Sequence, residues 1–139
     1  MTTTRQYRDT KVDVRLVLCA LWATTLFVFA YVDIFGFYRA DVLEAALAGT
    51  IASTTFTVDQ LFLTTTLVYL LPSILMIVGS LVLPPRANRI TNIVVSALYA
   101  VSIIVSCVGE TWVYYLLGSL VEVVLLVTVA WSAWRWPAA

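Results

Sequence analysis

Residues Trp112–Trp134 read WVYYLLGSLVEVVLLVTVAWSAW, an apolar run interrupted by a single charge, Glu122. A bilayer core about 30 Å thick needs roughly 20 consecutive apolar residues in one helix, and this run is that long. Three more runs upstream meet the same requirement: Leu16–Val32, Leu61–Leu83 and Ile90–Val108. The pattern predicts an all-α, four-transmembrane-helix bundle running up-down-up-down, with helices over about 14–34, 58–83, 88–108 and 111–135 of one integral membrane domain, 1–139.

The basic residues supply the orientation. Arg5, Arg8, Lys11 and Arg15 precede the first run, Arg86 and Arg89 separate the second from the third, and Arg135 follows the fourth. Arg39 alone falls on the other side. Lys and Arg concentrate on cytoplasmic loops, so both termini and the second connection are expected in the cytoplasm of a bacterial inner membrane. The polar segment Met1–Thr10 precedes an apolar run that ends at Tyr31, Asp33 and Phe35 without a small-residue cleavage site. The first run therefore reads as a retained span, not a removed leader.

Composition narrows the function classes. The chain is 62% hydrophobic and 12% charged, about half the charge of an ordinary soluble domain, and its mean hydropathy is +0.98. Eight basic residues balance eight acidic ones, which argues against a nucleic-acid partner. There is no His, which removes imidazole ligation of haem, most zinc sites and His-based acid–base catalysis. The only lysine, Lys11, lies outside the runs, so no retinal-type Schiff base can form within a helix. Cys19 and Cys107 fall near opposite membrane faces and form no CxxC pair, so no disulfide is expected. No cofactor is expected, and the bilayer itself is the one assured partner.

The connections carry local signals. Asp41 followed by Glu44 resembles a capping box, Val42, Leu43, Ala46 and Leu47 give an apolar stripe, and Gly49 a stop. A short interfacial helix is expected in this first outer connection. Thr57 with Gln60 marks the next helix start. Pro72 lies inside that helix and should bend it, leaving the Val68 carbonyl without its donor. Pro84 and Pro85 then close the helix, and the third begins around Asn88. Only Gly109, Glu110 and Thr111 separate the third run from the fourth, which makes an antiparallel hairpin. Trp112 on one side and Trp131, Trp134 and Trp136 on the other read as interface anchors.

Glu122 invites a functional reading because an ionisable group near mid-span costs a few kcal/mol unless it faces polar groups or water. Ser119, Gly118 and Tyr115 share its face at offsets of three, four and seven. Asn92, Ser96, Tyr99 and Ser106 make a comparable stripe on the third run, and Thr65, Tyr69, Ser73, Met76 and Gly79 on the second. The expected partners at the depth of Glu122 are Tyr99, Tyr69, Ser73 and, from the first run, Thr24. This candidate intramembrane site, Glu122, Tyr99, Tyr69, Ser73, Thr24, Asn92, Ser96 and Ser119, serves either as a functional acid or as a neutral, hydrogen-bonded packing element. A second candidate, Asp33, Arg39 and Glu110, gathers at the outer face with Asp41, Glu44 and Asp59. Such a mouth attracts cations or a basic head group, or is simply a solvated surface. Tyr31, Phe35, Phe37 and Tyr38 place Asp33 at the headgroup boundary within reach of Arg39.

The stretches LWATTLFVFAYVDIFGFY (21–38), LPSILMIVGSLVLPPRANRITNIV (71–94) and LVEVVLLVTVAWSAWRWP (120–137) resemble a family of small bacterial four-helix membrane proteins carrying a domain of unknown function. The resemblance covers nearly the whole chain and implies a fold and an inner-membrane location, with no activity to carry over. Three roles follow from the residues. The first is a non-catalytic accessory, regulatory or structural membrane subunit that meets a membrane-protein partner or a second copy. The second is a small carrier or ligand-binding bundle using Glu122 for a proton, a cation or a lipid-like small molecule. The third, a membrane enzyme on a lipid or isoprenoid with Glu122 as acid or base and Tyr99 as its partner, lacks any recognisable nucleophile, metal or phosphate motif.

Overall fold

The computed structural model describes residues 10–52 and 54–136. Arg5, Arg8 and Pro137 lie outside the described residues. Among the described residues there are five helices: α1 Val14–Gly36, α2 Ala40–Leu47, α3 Gln60–Val82, α4 Pro85–Ser106 and α5 Val113–Trp134. The four long ones are each long and apolar enough to cross a membrane. The chain is therefore an all-helical protein of multi-pass membrane type.

Side-chain chemistry sets the helix starts. Asp13 caps α1 by accepting from the Arg15 amide at 2.7 Å. Asp59, and not Thr57, caps α3, accepting from the Phe62 amide at 2.8 Å. Thr57 is drawn away into an isolated bridge with Thr50. α4 starts at Pro85 instead of near Asn88. A proline at the first helical position loses no hydrogen bond and has the φ a helix requires, so Pro84–Pro85 end one helix and open the next. α2 forms where the sequence predicts a short helix, but Arg39 occupies its cap position without a side-chain bond. Asp41 sits one residue inside, its carboxylate turned back to Arg39. The capping box is therefore not made.

Two ends of the bundle are defined by contacts. At the first, Arg15 donates to the Leu81 carbonyl at 2.9 Å and lies over the Trp136 ring, while Arg89 lies over Trp134. At the second, Arg39 bonds Glu110 and stacks on Trp112. We refer to these as the basic end and the acidic end. α1 packs against α3 and α5, and α4 packs against α5 and, more lightly, α3. The turn from α4 to α5 runs from Cys107 to Trp112, longer than the three residues expected, and Gly109 takes a φ of +85° that side-chain-bearing residues rarely adopt.

The closed core is asymmetric along the axis. Fully buried positions reach from Leu18 only to Thr25 in α1 and begin at Ser73 in α3. In α4 they stop at Ile103, and in α5 they begin at Ser119. The helices are thus packed tightly toward the basic end, whereas toward the acidic end α3 is open, with Leu61, Leu63, Leu67, Val68 and Tyr69 all exposed. Pro72 stands at the boundary between these two regimes of α3.

Candidate functional site

The closed half is organised by asparagines one turn apart on α4. Asn92 receives the Trp22 indole N–H on Oδ1 at 2.7 Å and, more weakly, the Ser80 hydroxyl at 3.4 Å. Its amide donates to the Asn88 carbonyl at 2.9 Å and to Asn88 Oδ1 at 2.6 Å. Asn88 donates in turn to the Ser80 carbonyl at 2.7 Å. Ser80 lies in the last turn of α3, so its carbonyl has no intrahelical donor, and Asn88 supplies one. All four residues are fully buried. The circuit joins α1, α3 and α4, and it meets the demand that buried polar groups in an apolar medium be paired.

Sequence reasoning identified Asn92 but missed Asn88, Ser80 and Trp22. The i, i+4 spacing of the two asparagines was the available signal. Trp22 gives none, because a membrane tryptophan usually reads as an interface anchor.

Above this circuit sits an aromatic layer. Tyr99 packs edge-on against Trp22, with ring centroids 6.2 Å apart, and in a tilted arrangement against Tyr69 at 5.1 Å. The Tyr99 hydroxyl donates to the Tyr69 carbonyl, and the Ser73 hydroxyl donates to the Leu70 carbonyl at 2.8 Å. Both carbonyls lie in the turn before Pro72, where a proline disturbs the backbone ladder. Tyr99 and Ser73 therefore help stabilise the proline-interrupted turn. The Tyr69 hydroxyl meets Ser102 Oγ at 2.5 Å, and Ser102 donates to the Tyr99 carbonyl at 2.8 Å.

Glu122 lies beside this layer, 3% exposed, and its buried Oε1 has no hydrogen-bond partner among the described residues. None of the four expected partners bonds it. Tyr99, Tyr69 and Ser73 are engaged as described, and Thr24 is exposed, its hydroxyl returned to the Ala20 carbonyl at 2.8 Å. The buried threonine of α1 is its neighbour Thr25, which bonds the Leu21 carbonyl at 2.8 Å. One residue turns a helix face by about 100°, and that rotation separates the expected position from the observed one. Ser96 is buried and bonds the Ile93 carbonyl at 3.2 Å. Ser119 is buried one turn from Glu122. Asp33, Tyr69 and Tyr115 lie within electrostatic reach of Glu122.

Gly118 explains how α1 and α5 approach each other. A Cβ built there would stand 2.3 Å from Val32 Cγ2, so the hydrogen of glycine is what the contact accommodates. On the outside of the same helix pair lies an apolar groove of about 450 Å³ lined by Thr24, Phe27, Tyr31, Tyr114 and Leu117, among others.

The second candidate resolves differently from expectation. Arg39 reaches Asp41 at 2.7 Å and Glu110 at 3.2 Å and does not bond Asp33. Its guanidinium lies 4.5 Å from the Trp112 ring centroid. Glu110 Oε1 also accepts from the Trp112 and Thr111 amides, at 3.0 and 2.8 Å. The Trp112 and Thr111 amides and Arg39 hold the Glu110 carboxyl below its ordinary pKa, while partial desolvation opposes them. Arg39 likewise holds Asp41 low. The three residues form a latch between the α1–α2 connection and the α4–α5 turn. Asp33 stands outside it, exposed on α1.

Residues 8–138 match a family of unknown function, DUF6326, and the chain belongs to that family. No curated protein and no solved structure matches it.

Proposed function

We propose that this DUF6326 protein is a non-catalytic, ligand- or proton-binding four-helix protein of a bacterial cytoplasmic membrane. In this reading it runs up-down-up-down with both termini in the cytoplasm, and Glu122 is its exchangeable group. The orientation is supported by Arg15 and Arg89 meeting at one end, each over a tryptophan ring, since basic residues concentrate on the cytoplasmic side. α2, with no buried residue, then lies at the outer membrane surface.

One observation carries the functional part: Glu122 is 3% exposed and holds a buried carboxyl oxygen that no protein group satisfies. A packing element would be expected to use its hydrogen-bonding capacity, as Asn92 does. An unsatisfied buried polar atom costs about 1–3 kcal/mol, and burying an unpaired charge costs more. A carboxyl in that position therefore holds a proton until a cationic or hydrogen-bonding ligand replaces it. The test is infrared spectroscopy of the protein in liposomes. A protonated carboxyl band absent from Glu122→Gln, and responding to bulk pH, is the expected result. A band indifferent to pH would mark a sealed structural acid and overturn the reading.

A second reading, an accessory subunit meeting a membrane partner or a second copy, is supported by the exposed apolar face Leu61, Leu63, Leu67 and Val68 on α3. The two are compatible where the partner senses occupancy of the site. Coexpression followed by mild detergent extraction tests the second reading, since Leu67→Arg and Val68→Arg should dissolve any complex formed there.

A further inference from the structure

We infer that the open half of the bundle binds an organic cation, such as a hydrophobic quaternary ammonium or phosphonium, with its positive centre against the Glu122 carboxylate. The inference rests on Glu122 being an exchangeable group and adds the ligand class and the way in. Three features of the site choose that class.

The first is the shape of the interior. On the inward face of α3 exposure is 0% at Ser80, 4% at Met76 and 2% at Ser73, then 43% at Tyr69. On α4 it passes from 3% at Ile103 to an exposed Ser106. On the acidic side of Glu122 the inward faces of α3 and α4 are thus exposed, and in this proposal the cation enters there from lipid.

The second is charge. Glu122 interacts electrostatically with Asp33 on α1, with Tyr69 on α3 and with Tyr115 on its own helix. None is cationic. Arg39, the basic residue at that end, is occupied by Asp41, Glu110 and Trp112. The site has acceptors and lacks a counter-charge.

The third is the remaining wall. Among the described residues no three His, Cys, Asp or Glu side chains gather to wrap a bare metal ion. The hydroxyls are already engaged: Tyr69 with Ser102, and Tyr115 with Ser106 at 3.2 Å. A charge spread over carbon needs one carboxylate and aromatic faces, which attract such cations within about 6 Å of the ring centroid. Tyr69 and Tyr115 offer those faces, and Glu122 gives up its proton to solvent as the cation arrives.

The experiment is calorimetric titration of the detergent-purified chain with tetraphenylphosphonium, with tetraphenylborate as a control of the same shape and opposite charge. Saturable 1:1 binding of the cation alone, with proton release seen as a buffer-dependent heat, is expected. Glu122→Gln should weaken it by about tenfold or more, equivalent to about 1.4 kcal/mol, and Asp33→Asn by roughly threefold. Circular dichroism on each variant checks folding. If Glu122→Gln misfolds, Tyr69→Leu, which removes an aromatic face while keeping bulk against Tyr99 and the backbone carbonyl that Tyr99 bonds, should still weaken binding severalfold. Equal binding of both tetraphenyl ions, or undiminished binding by a folded Glu122→Gln, overturns the inference. A pH-responsive Glu122 band with no phosphonium binding removes the cation site and leaves the proposed function standing. Absence of both removes the two together.

Discussion

Asn92 and Glu122 are both buried polar residues on inward helix faces, yet their surroundings differ in kind. Asn92 has its carbonyl oxygen on Trp22 and Ser80 and its amide on Asn88. Glu122 has a buried oxygen with no protein partner. The first arrangement suits a joint: each group is matched within the chain, and movement of α1, α3 or α4 against the others breaks a bond. The second suits a site, where an unmet hydrogen-bonding demand favours whatever can enter. Their positions agree with this division. Asn92 lies within the closed half, and Glu122 lies where the closed core gives way to the open half.

The comparison breaks most visibly at the joint. Asn92→Leu removes the acceptor of the Trp22 indole and the partner of Asn88 and leaves the Ser80 hydroxyl unmatched. Hydrogen bonds between membrane helices average about 0.6 kcal/mol and reach about 1.7, so losing this set should cost about 3 kcal/mol. Detergent-denaturation midpoints, followed by circular dichroism, report the loss. Trp22→Phe keeps the ring against Tyr99 and removes a single donor, so its cost should be near 1 kcal/mol. A variant of Asn92 as stable as the wild type would show that the circuit is incidental to packing.

The next effect is steric and sits at the seam between α1 and α5. Gly118→Ala places a methyl into the space of Val32 Cγ2. Overpacking of this kind costs about 1–3 kcal/mol, less what the better helix propensity of alanine returns. Val32→Ala should relieve the clash, since it removes Cγ2 together with Cγ1; the double variant then keeps only the smaller cost of the second lost methyl. Failure of the rescue would place the strain in the helix backbone and not in this contact.

The four spans were legible because bilayer thickness translates directly into apolar length, and neither Gly nor Ser within Trp112–Trp134 alters that requirement. Burial of Glu122 was legible for the same reason, since an acid at mid-span has few tolerable places to point. Its lack of a partner was not. Each serine or threonine can bond its own helix three or four residues back or reach across to another helix, and the choice depends on distances between helices that residue spacing does not contain. Ser73, Ser96 and Thr25 all chose their own backbone. The Arg39 latch shows a related limit: Asp33, Asp41 and Glu110 all lie near Arg39 in the expected topology, and only the fold of the α1–α2 connection decides that Asp33 is left out.

That latch gives a smaller, pH-dependent effect. Glu110 and Asp41 have depressed folded pKa values, so their contribution is fully present above their unfolded values, about 4.3 and 3.9. It is lost as pH falls through the lower folded values. The stability difference between wild type and Glu110→Gln should therefore be near 1 kcal/mol or below at pH 7 and should shrink toward zero as pH drops through the carboxylate range. Thermal unfolding of both proteins across that range checks the sign. A difference that grows on acidification would contradict the assignment.

The smallest expected effect on stability discriminates best between a joint and a site, and it belongs to Glu122. If the carboxyl supported the bundle, Glu122→Gln would preserve it and Glu122→Leu, with no polar group at all, would unfold it. With Oε1 unmatched, the structure leads to the opposite expectation. Glu122→Gln keeps shape and should change stability by less than about 0.5 kcal/mol. Glu122→Leu replaces an unsatisfied polar group by an apolar one of similar length, a change that is neutral or stabilising when the polar group contributes no bond. Both variants should therefore unfold at or above the wild-type denaturant midpoint, while the pH-responsive carboxyl band disappears from each. Loss of several kcal/mol in Glu122→Leu alone would turn Glu122 into a second Asn92 and close the distinction between the two halves of the bundle.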